Sequence, residues 1–178
     1  MIINDLYFNK LILYIYGYIY KMLDKNKLGQ FYTTNYEYIL QNLYIPENVH
    51  TIIEPFAGNG DLIKFTNTPV ECYDIDPKKD SITKRDTLKC PPTYDNKFIL
   101  TNPPYLARNK CDDKSIFDMY GENDLYKCFI KSIISTRALG GILIIPLNFW
   151  CSIRNSDVKL RERFLNKFSV IVSTFDFE

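Results

Sequence analysis

A doubly wound α/β domain with a mostly parallel sheet is the fold class this sequence predicts, and three features predict it. Thr51-Ile-Ile53 is a β-branched run that passes through a turn holding Gly58 and Gly60 into Asp61-Leu-Ile-Lys-Phe65, which reads as a helix start. Strand, Gly-x-Gly turn and helix in that order make the first crossover of such a sheet. Val70-Glu-Cys-Tyr-Asp-Ile-Asp-Pro77 repeats the strand pattern and ends in two acids. Phe98-Ile-Leu-Thr101 and Ile142-Leu-Ile-Ile-Pro146 are short apolar runs of the kind that strands buried on both faces leave in a sequence. At 178 residues the chain is long enough for one domain with a substantial core.

The formal charge of +1 neither favours nor excludes nucleic acid, because a binding face is a local property. Cys72, Cys90, Cys111, Cys128 and Cys151 stand singly, and His50 is the one histidine, a pattern that argues against a zinc site. An odd number of cysteines without a secretory signal reads as reduced thiols in an intracellular, cytoplasmic protein. The run from Leu11 to Tyr20 is apolar and aromatic, interrupted by Gly17 and flanked by Lys10 and Lys21. It is too short to span a bilayer and no cleavage site comes after it, so it predicts a helix or strand packed on the domain and no membrane partner. Residues 1–27 are expected to form an N-terminal extension, with a start at Met22 an open alternative, and residues 28–178 the domain.

Leu28-Gly-Gln-Phe-Tyr-Thr-Thr34 precedes a helical pattern at Tyr36, Ile39, Leu40 and Leu43, capped by Thr34 or Asn35. Hydroxyls and backbone N–H groups at a helix start suit a carboxylate. Glu54 opens the glycine turn, and Ile63 stands where a dinucleotide fingerprint needs its third glycine. An acid here repels a pyrophosphate and suits a cationic or amino-bearing ligand. At the end of the second strand, Asp74 and Asp76 both qualify as acceptors for ribose hydroxyls, with Ile75 between them placed to pack on a base. Asp86, near the end of a third strand, is placed to accept from an adenine amine.

Asn102-Pro-Pro-Tyr105 ends the next strand. Pro103 and Pro104 fix their own φ and carry no N–H. The turn therefore presents acceptors, namely the Asn102 side-chain oxygen and the Asn102 and Pro103 carbonyls, beside the flat ring of Tyr105. Such a set suits a planar group bearing –NH2. Leu106 to Asn123 reads as a mobile loop of the kind that carries substrate recognition. Leu125 to Ile134 is an amphipathic helix ended by Gly140-Gly141, and Asn148-Phe-Trp150 falls at the carboxyl end of the next strand. Asp157 to Phe168 is a helix with Leu160, Phe164, Leu165 and Phe168 inward and Lys159, Arg161, Arg163 and Lys167 outward. Ser169 to Phe177 is a last strand.

Taken in order, these motifs resemble the S-adenosylmethionine-dependent adenine-N6 DNA methyltransferases whose cofactor motifs precede an Asn-Pro-Pro-Tyr motif. The resemblance runs from Leu28 to the C-terminus and implies a Rossmann-like methyltransferase fold. It implies that Gly29-Gln-Phe-Tyr-Thr33, with Phe31, Tyr32 and Thr33, meets the methionine end of S-adenosylmethionine. Glu54, Phe56, Gly58 and Gly60 would form the cofactor loop. Asp74 would hold the ribose, Ile75 the adenine, and Asp86 with the adjacent Thr87 the adenine edge. Asn102, Pro103, Pro104 and Tyr105 would be catalytic, with Tyr105 stacking on a base rotated out of DNA. Asn-Pro-Pro-Tyr is shared with glutamine and ribosomal RNA methyltransferases, and the upstream Gln-Phe-Tyr-Thr leans the choice to DNA adenine. The family's target-recognition region does not follow the core, and its late aromatic is matched only by Phe175 or Phe177. A fragment, recognition through a partner chain or missing domain, or low specificity is therefore expected. The rival expectations are a methyltransferase for a protein glutamine or an RNA base amine, and a non-catalytic subunit that keeps the fold for binding.

Overall fold

The computed structural model describes residues 10–16, 29 and 33–176, without the side chains of 10–16 and 171–176. The expectations for Phe31, Tyr32, Phe177 and the Phe175 side chain lie outside the described residues. The short apolar runs form strands β1 (Lys10–Tyr16), β2 (Ile52–Glu54), β3 (Val70–Asp74), β4 (Thr83–Lys84), β5 (Phe98–Thr101), β6 (Gly140–Pro146) and β7 (Ser169–Asp176). They make one sheet in the order β4-β3-β2-β5-β6-β1-β7. Every described pairing is parallel, so the sheet is more uniform than the mostly parallel one expected. The stretch assigned to an N-terminal extension supplies β1, which lies between β6 and β7.

Strand alternation sends successive side chains to opposite faces. Ile53, Ile99, Leu143 and Ile145 share a buried cluster with Phe117, Phe129 and Phe164. Those three come from α2 (Ser115–Tyr120), α3 (Leu125–Ile134) and α5 (Asn155–Lys167). Ile52, Leu100, Ile142 and Ile144 belong to a second cluster with Leu62 and with Leu40 and Leu43, which come just after the short α1 (Tyr36–Ile39). Helical segments thus cover both faces, an α/β Rossmann-like arrangement. From β2 the chain moves outward through β3 to β4, then returns to the other side of β2 as β5. That reversal opens a crevice between the carboxyl ends of β2 and β5, where α/β sheets bind ligands.

Several local expectations are corrected. The helix foreseen after the glycine turn is a single 3-10 turn at Leu62–Phe65. Leu106 to Asn123 is ordered, with a 3-10 turn at Arg108–Lys110 and α2 itself, because Ile116 and Phe117 pack on the core. Gly140 and Gly141 do not end α3 but belong to β6. A Cβ on Gly141 would lie 2.4 Å from the Ile99 carbonyl oxygen, so its bare backbone lets β5 and β6 approach. Leu165 is exposed, and Arg161 folds back onto the Phe149 and Ser152 carbonyls instead of pointing to solvent.

α3 and α5 are tied by an ion pair inside the protein. Lys127 Nζ and Asp157 Oδ1 are 2.7 Å apart and both side chains are 3% exposed. Asn123 Oδ1 accepts from the same ammonium, and the Ser152 hydroxyl donates to Asp157 Oδ2. Burial pulls the Asp157 carboxyl upward, but the hydrogen bonds from Lys127 and Ser152 outweigh it and hold it below its ordinary value. Breaking one side of such a pair strands a buried charge, which costs about 3–5 kcal/mol. Asp157→Ala is therefore expected to lower the urea-unfolding free energy by about 3–5 kcal/mol, and the double change Lys127→Met, Asp157→Leu to recover most of that loss.

Candidate functional site

The carboxyl ends of β2, β3, β4 and β5 are stitched together by side chains that satisfy strand-end backbone, as buried polar groups must be. Asp74, at the end of β3, accepts from Gly58 N through Oδ2 at 2.7 Å and from Asp76 N through Oδ1 at 2.8 Å. The glycine turn is further pinned by Ala57 N donating to the Tyr73 carbonyl at 2.8 Å. Thr87, beyond β4, donates its hydroxyl to the Pro55 carbonyl at 2.8 Å. Gly58 (φ 51°) and Gly60 (φ 69°) adopt the left-handed conformation that this path requires.

Glu54 crosses from β2 to β5. Its Oε1 accepts from Thr101 Oγ1 at 2.5 Å and from Phe56 N at 3.1 Å. Its Oε2 is buried and has no partner among the described residues. Desolvation dominates and is only partly offset by the Thr101 and Phe56 hydrogen bonds, while nearby Asp74 adds to it. The carboxyl moves from an ordinary 4.5 up to about 8.

Asn102 comes directly after β5 and is oriented at both ends of its amide. Nδ2 donates to Thr33 Oγ1 at 2.9 Å. The Tyr105 hydroxyl lies 2.5 Å from Asn102 Oδ1 and 2.7 Å from the Ile144 carbonyl oxygen, with one proton to donate between them. Burial raises the Tyr105 hydroxyl well above its ordinary 10.0, with Tyr126 and Asp124 contributing, so it stays a donor. The half-buried Tyr105 ring meets Tyr126 edge-on at 6.0 Å and 88°. Tyr105 is therefore a fixed part of the amide's setting as well as an aromatic surface. Gly29 docks on the same turn: its carbonyl accepts from Tyr105 N at 2.9 Å, and a Cβ there would stand 2.7 Å from Leu106 Cβ. Gly29 and Thr33, the described parts of the N-terminal motif, thus bracket the Asn-Pro-Pro-Tyr turn.

A cleft of about 220 Å³ opens over this edge. Of the expected site residues, Phe56, Gly58, Asp74, Ile75, Asp86, Thr87, Asn102 and Pro104 line it. Glu54, Thr33 and Tyr105 do not line it but hydrogen-bond to Phe56 or Asn102, which do, and Gly60 and Pro103 are not in the lining. Asp76 is exposed and paired with Lys78, which leaves Asp74 as the acid at the cleft. Ile75 is 40% exposed, an apolar surface turned to the opening. Walls that the sequence did not point to are Arg85, Leu88, Ile116, Phe117 and Leu125. The apolar cluster Ile116-Phe117 within Leu106 to Asn123 was the signal that this stretch packs and does not wave.

Behind Tyr105, Asp124 Oδ1 is buried without a hydrogen-bond partner among the described residues. Desolvation raises Asp124 to about 6 against the pull of neighbouring backbone N–H groups and Lys127. Neither the family models nor the curated proteins with which this chain was compared give a match.

The Glu54 shift has a measurable sign. A carboxyl that holds its proton more tightly when folded gives stability that is full below about 4.5 and lost as pH rises through about 8. Glu54→Gln removes this titration. Wild-type protein is expected to lose up to about 1.4 kcal/mol per pH unit relative to that variant across the window, measured by denaturant unfolding.

Proposed function

We propose that this chain is an S-adenosylmethionine-dependent N-methyltransferase that acts on the exocyclic N6 amine of adenine in DNA. One observation carries the reading: the acceptor turn at Asn102 shares a single cleft, at the reversal of strand order, with Asp74 and the Gly58 turn. The donor set fits the cofactor. Asp74, Asp86 and Asp113 against the single cation Arg85 make the described lining acidic, which suits a nucleoside with a cationic tail and disfavours a polyphosphate. Ile75, Leu88 and Phe117 offer apolar surface for a base.

Asp74 would hold ribose hydroxyls at the edge of the cleft. Asp86 would accept from the cofactor's adenine amine. When bound, S-adenosylmethionine supplies a methyl carbon already activated by its sulfonium. What remains for the protein is to aim the acceptor nitrogen, whose lone pair is delocalised into the adenine ring. Asn102 Oδ1 and the Pro103 carbonyl would accept the two N6 hydrogens and stabilise the positive charge that develops on that nitrogen. The methylated amine then loses its proton to solvent, and no general base is required. In duplex DNA the target must leave the stack, at a cost on the order of a few kcal/mol.

Transfer of label from tritiated cofactor to duplex DNA, RNA and protein tests the acceptor class; label in RNA or protein but not DNA would refute adenine in DNA. Asn102→Ala is expected to lower kcat by about 10²–10³-fold while the cofactor Kd from calorimetry stays within about twofold. Asp74→Asn keeps one backbone hydrogen bond but is expected to weaken cofactor binding by about tenfold, as loss of one charge-assisted contact does.

A further inference from the structure

The chain between β6 and α5 carries a feature that methyl transfer does not use. β6 runs past the end of β5: Thr101 pairs with Leu143, and Ile144, Ile145 and Pro146 continue alongside the Asn102 turn. At about 3.3 Å per residue, this places the chain beyond Pro146 roughly 10 Å above the end of β5. There it forms α4 (Asn148–Cys151) and then a short loop of Ser152, Ile153 and Arg154. Ile153 is 90% exposed, more than any other large apolar side chain among the described residues.

A single exposed isoleucine on a loose loop would be unremarkable. This loop is not loose. Arg161 reaches back from α5 to bind the Phe149 carbonyl at 2.8 Å and the Ser152 carbonyl at 3.2 Å. The Ser152 hydroxyl is held at 2.6 Å by Asp157, whose other oxygen is committed to Lys127 in the interior. Phe149, immediately upstream, is 2% exposed and packs on Phe164. Asp157, itself held by Lys127, and Arg161 therefore anchor the Ser152 end of a short segment whose one large apolar side chain is exposed. Exposed cations follow it in the chain: Arg154 next in sequence, then Lys159 and Arg163 one turn apart on α5, with Glu162 the one exposed acid on that helix.

We infer that the 152–154 loop is a wedge for duplex DNA, with Ile153 entering a base step beside the Asn102 turn and Arg154, Lys159 and Arg163 meeting the flanking phosphates. Apolar side chains inserted at a base step unstack it, while the cations supply the sequence-independent attraction. The wedge lowers the cost of bringing the target base out of the stack. This inference rests on the reading of DNA as substrate.

Methylation of one oligonucleotide, supplied as a duplex and as its single strand, tests it. Ile153→Ser is expected to lower kcat/KM on the duplex by about tenfold. On the single strand it should leave kcat/KM unchanged, and cofactor affinity and melting temperature should not move. Ile153→Leu is expected to retain duplex activity, and 2-aminopurine at the target position should brighten with wild type and Leu but not with Ser. Equal loss on both substrates, or no loss on the duplex, overturns the wedge while leaving the methyltransferase reading in place. Wild-type protein that methylates neither form of DNA overturns that reading and the wedge with it.

Discussion

The structure depends on how it satisfies buried polar groups at the carboxyl edge of its sheet. Four parallel strands end there, and the turns after them carry N–H and C=O groups partly shielded from water. Asp74 answers for Gly58 and Asp76, Glu54 for Thr101 and Phe56, and Thr87 for Pro55. These acids and hydroxyls hold the turns in place. Asp74 and Thr87 also line the cleft, so side chains that hold the turns shape its wall as well.

That shared duty leaves the two carboxyls in different settings. Asp74 accepts two backbone hydrogen bonds beside the opening, whereas Glu54 is enclosed and has one oxygen without a partner among the described residues. Burial is the first cause that raises Glu54 above the ordinary carboxyl range, and the nearby Asp74 adds to it.

The Asn102 amide shows how distant parts of the chain converge on one group. Thr33 comes from the N-terminal motif, Tyr105 from the same turn, and the Ile144 carbonyl from β6. With two prolines fixing the backbone and three elements fixing the side chain, the acceptor oxygen is oriented before any partner arrives. Preorganisation of this kind is what directs a weakly nucleophilic amine. On the far side of β6, the buried Lys127–Asp157 pair performs a comparable service for the 152–154 loop, at the desolvation cost such pairs carry.

By itself the sequence determined the doubly wound class, most strand positions and part of the cleft's lining, Phe56, Gly58, Asp74 and Asn102 among it. β-branched runs ending in Gly58, Asp74 and Asn102 leave a local signal, because period, glycine and proline act within a few residues. Only the tertiary structure decided which of two acids faces the cleft, because Asp76 turns to Lys78 while Asp74 turns inward to Gly58. It also decided that Leu106 to Asn123 folds into a wall, that Arg161 points inward, and that Tyr105 braces Asn102. β1, which lies between β6 and β7, was the least legible element. An apolar run states that it will be buried, but its neighbours in a parallel sheet are far away in sequence, and pairing across that distance leaves no local mark.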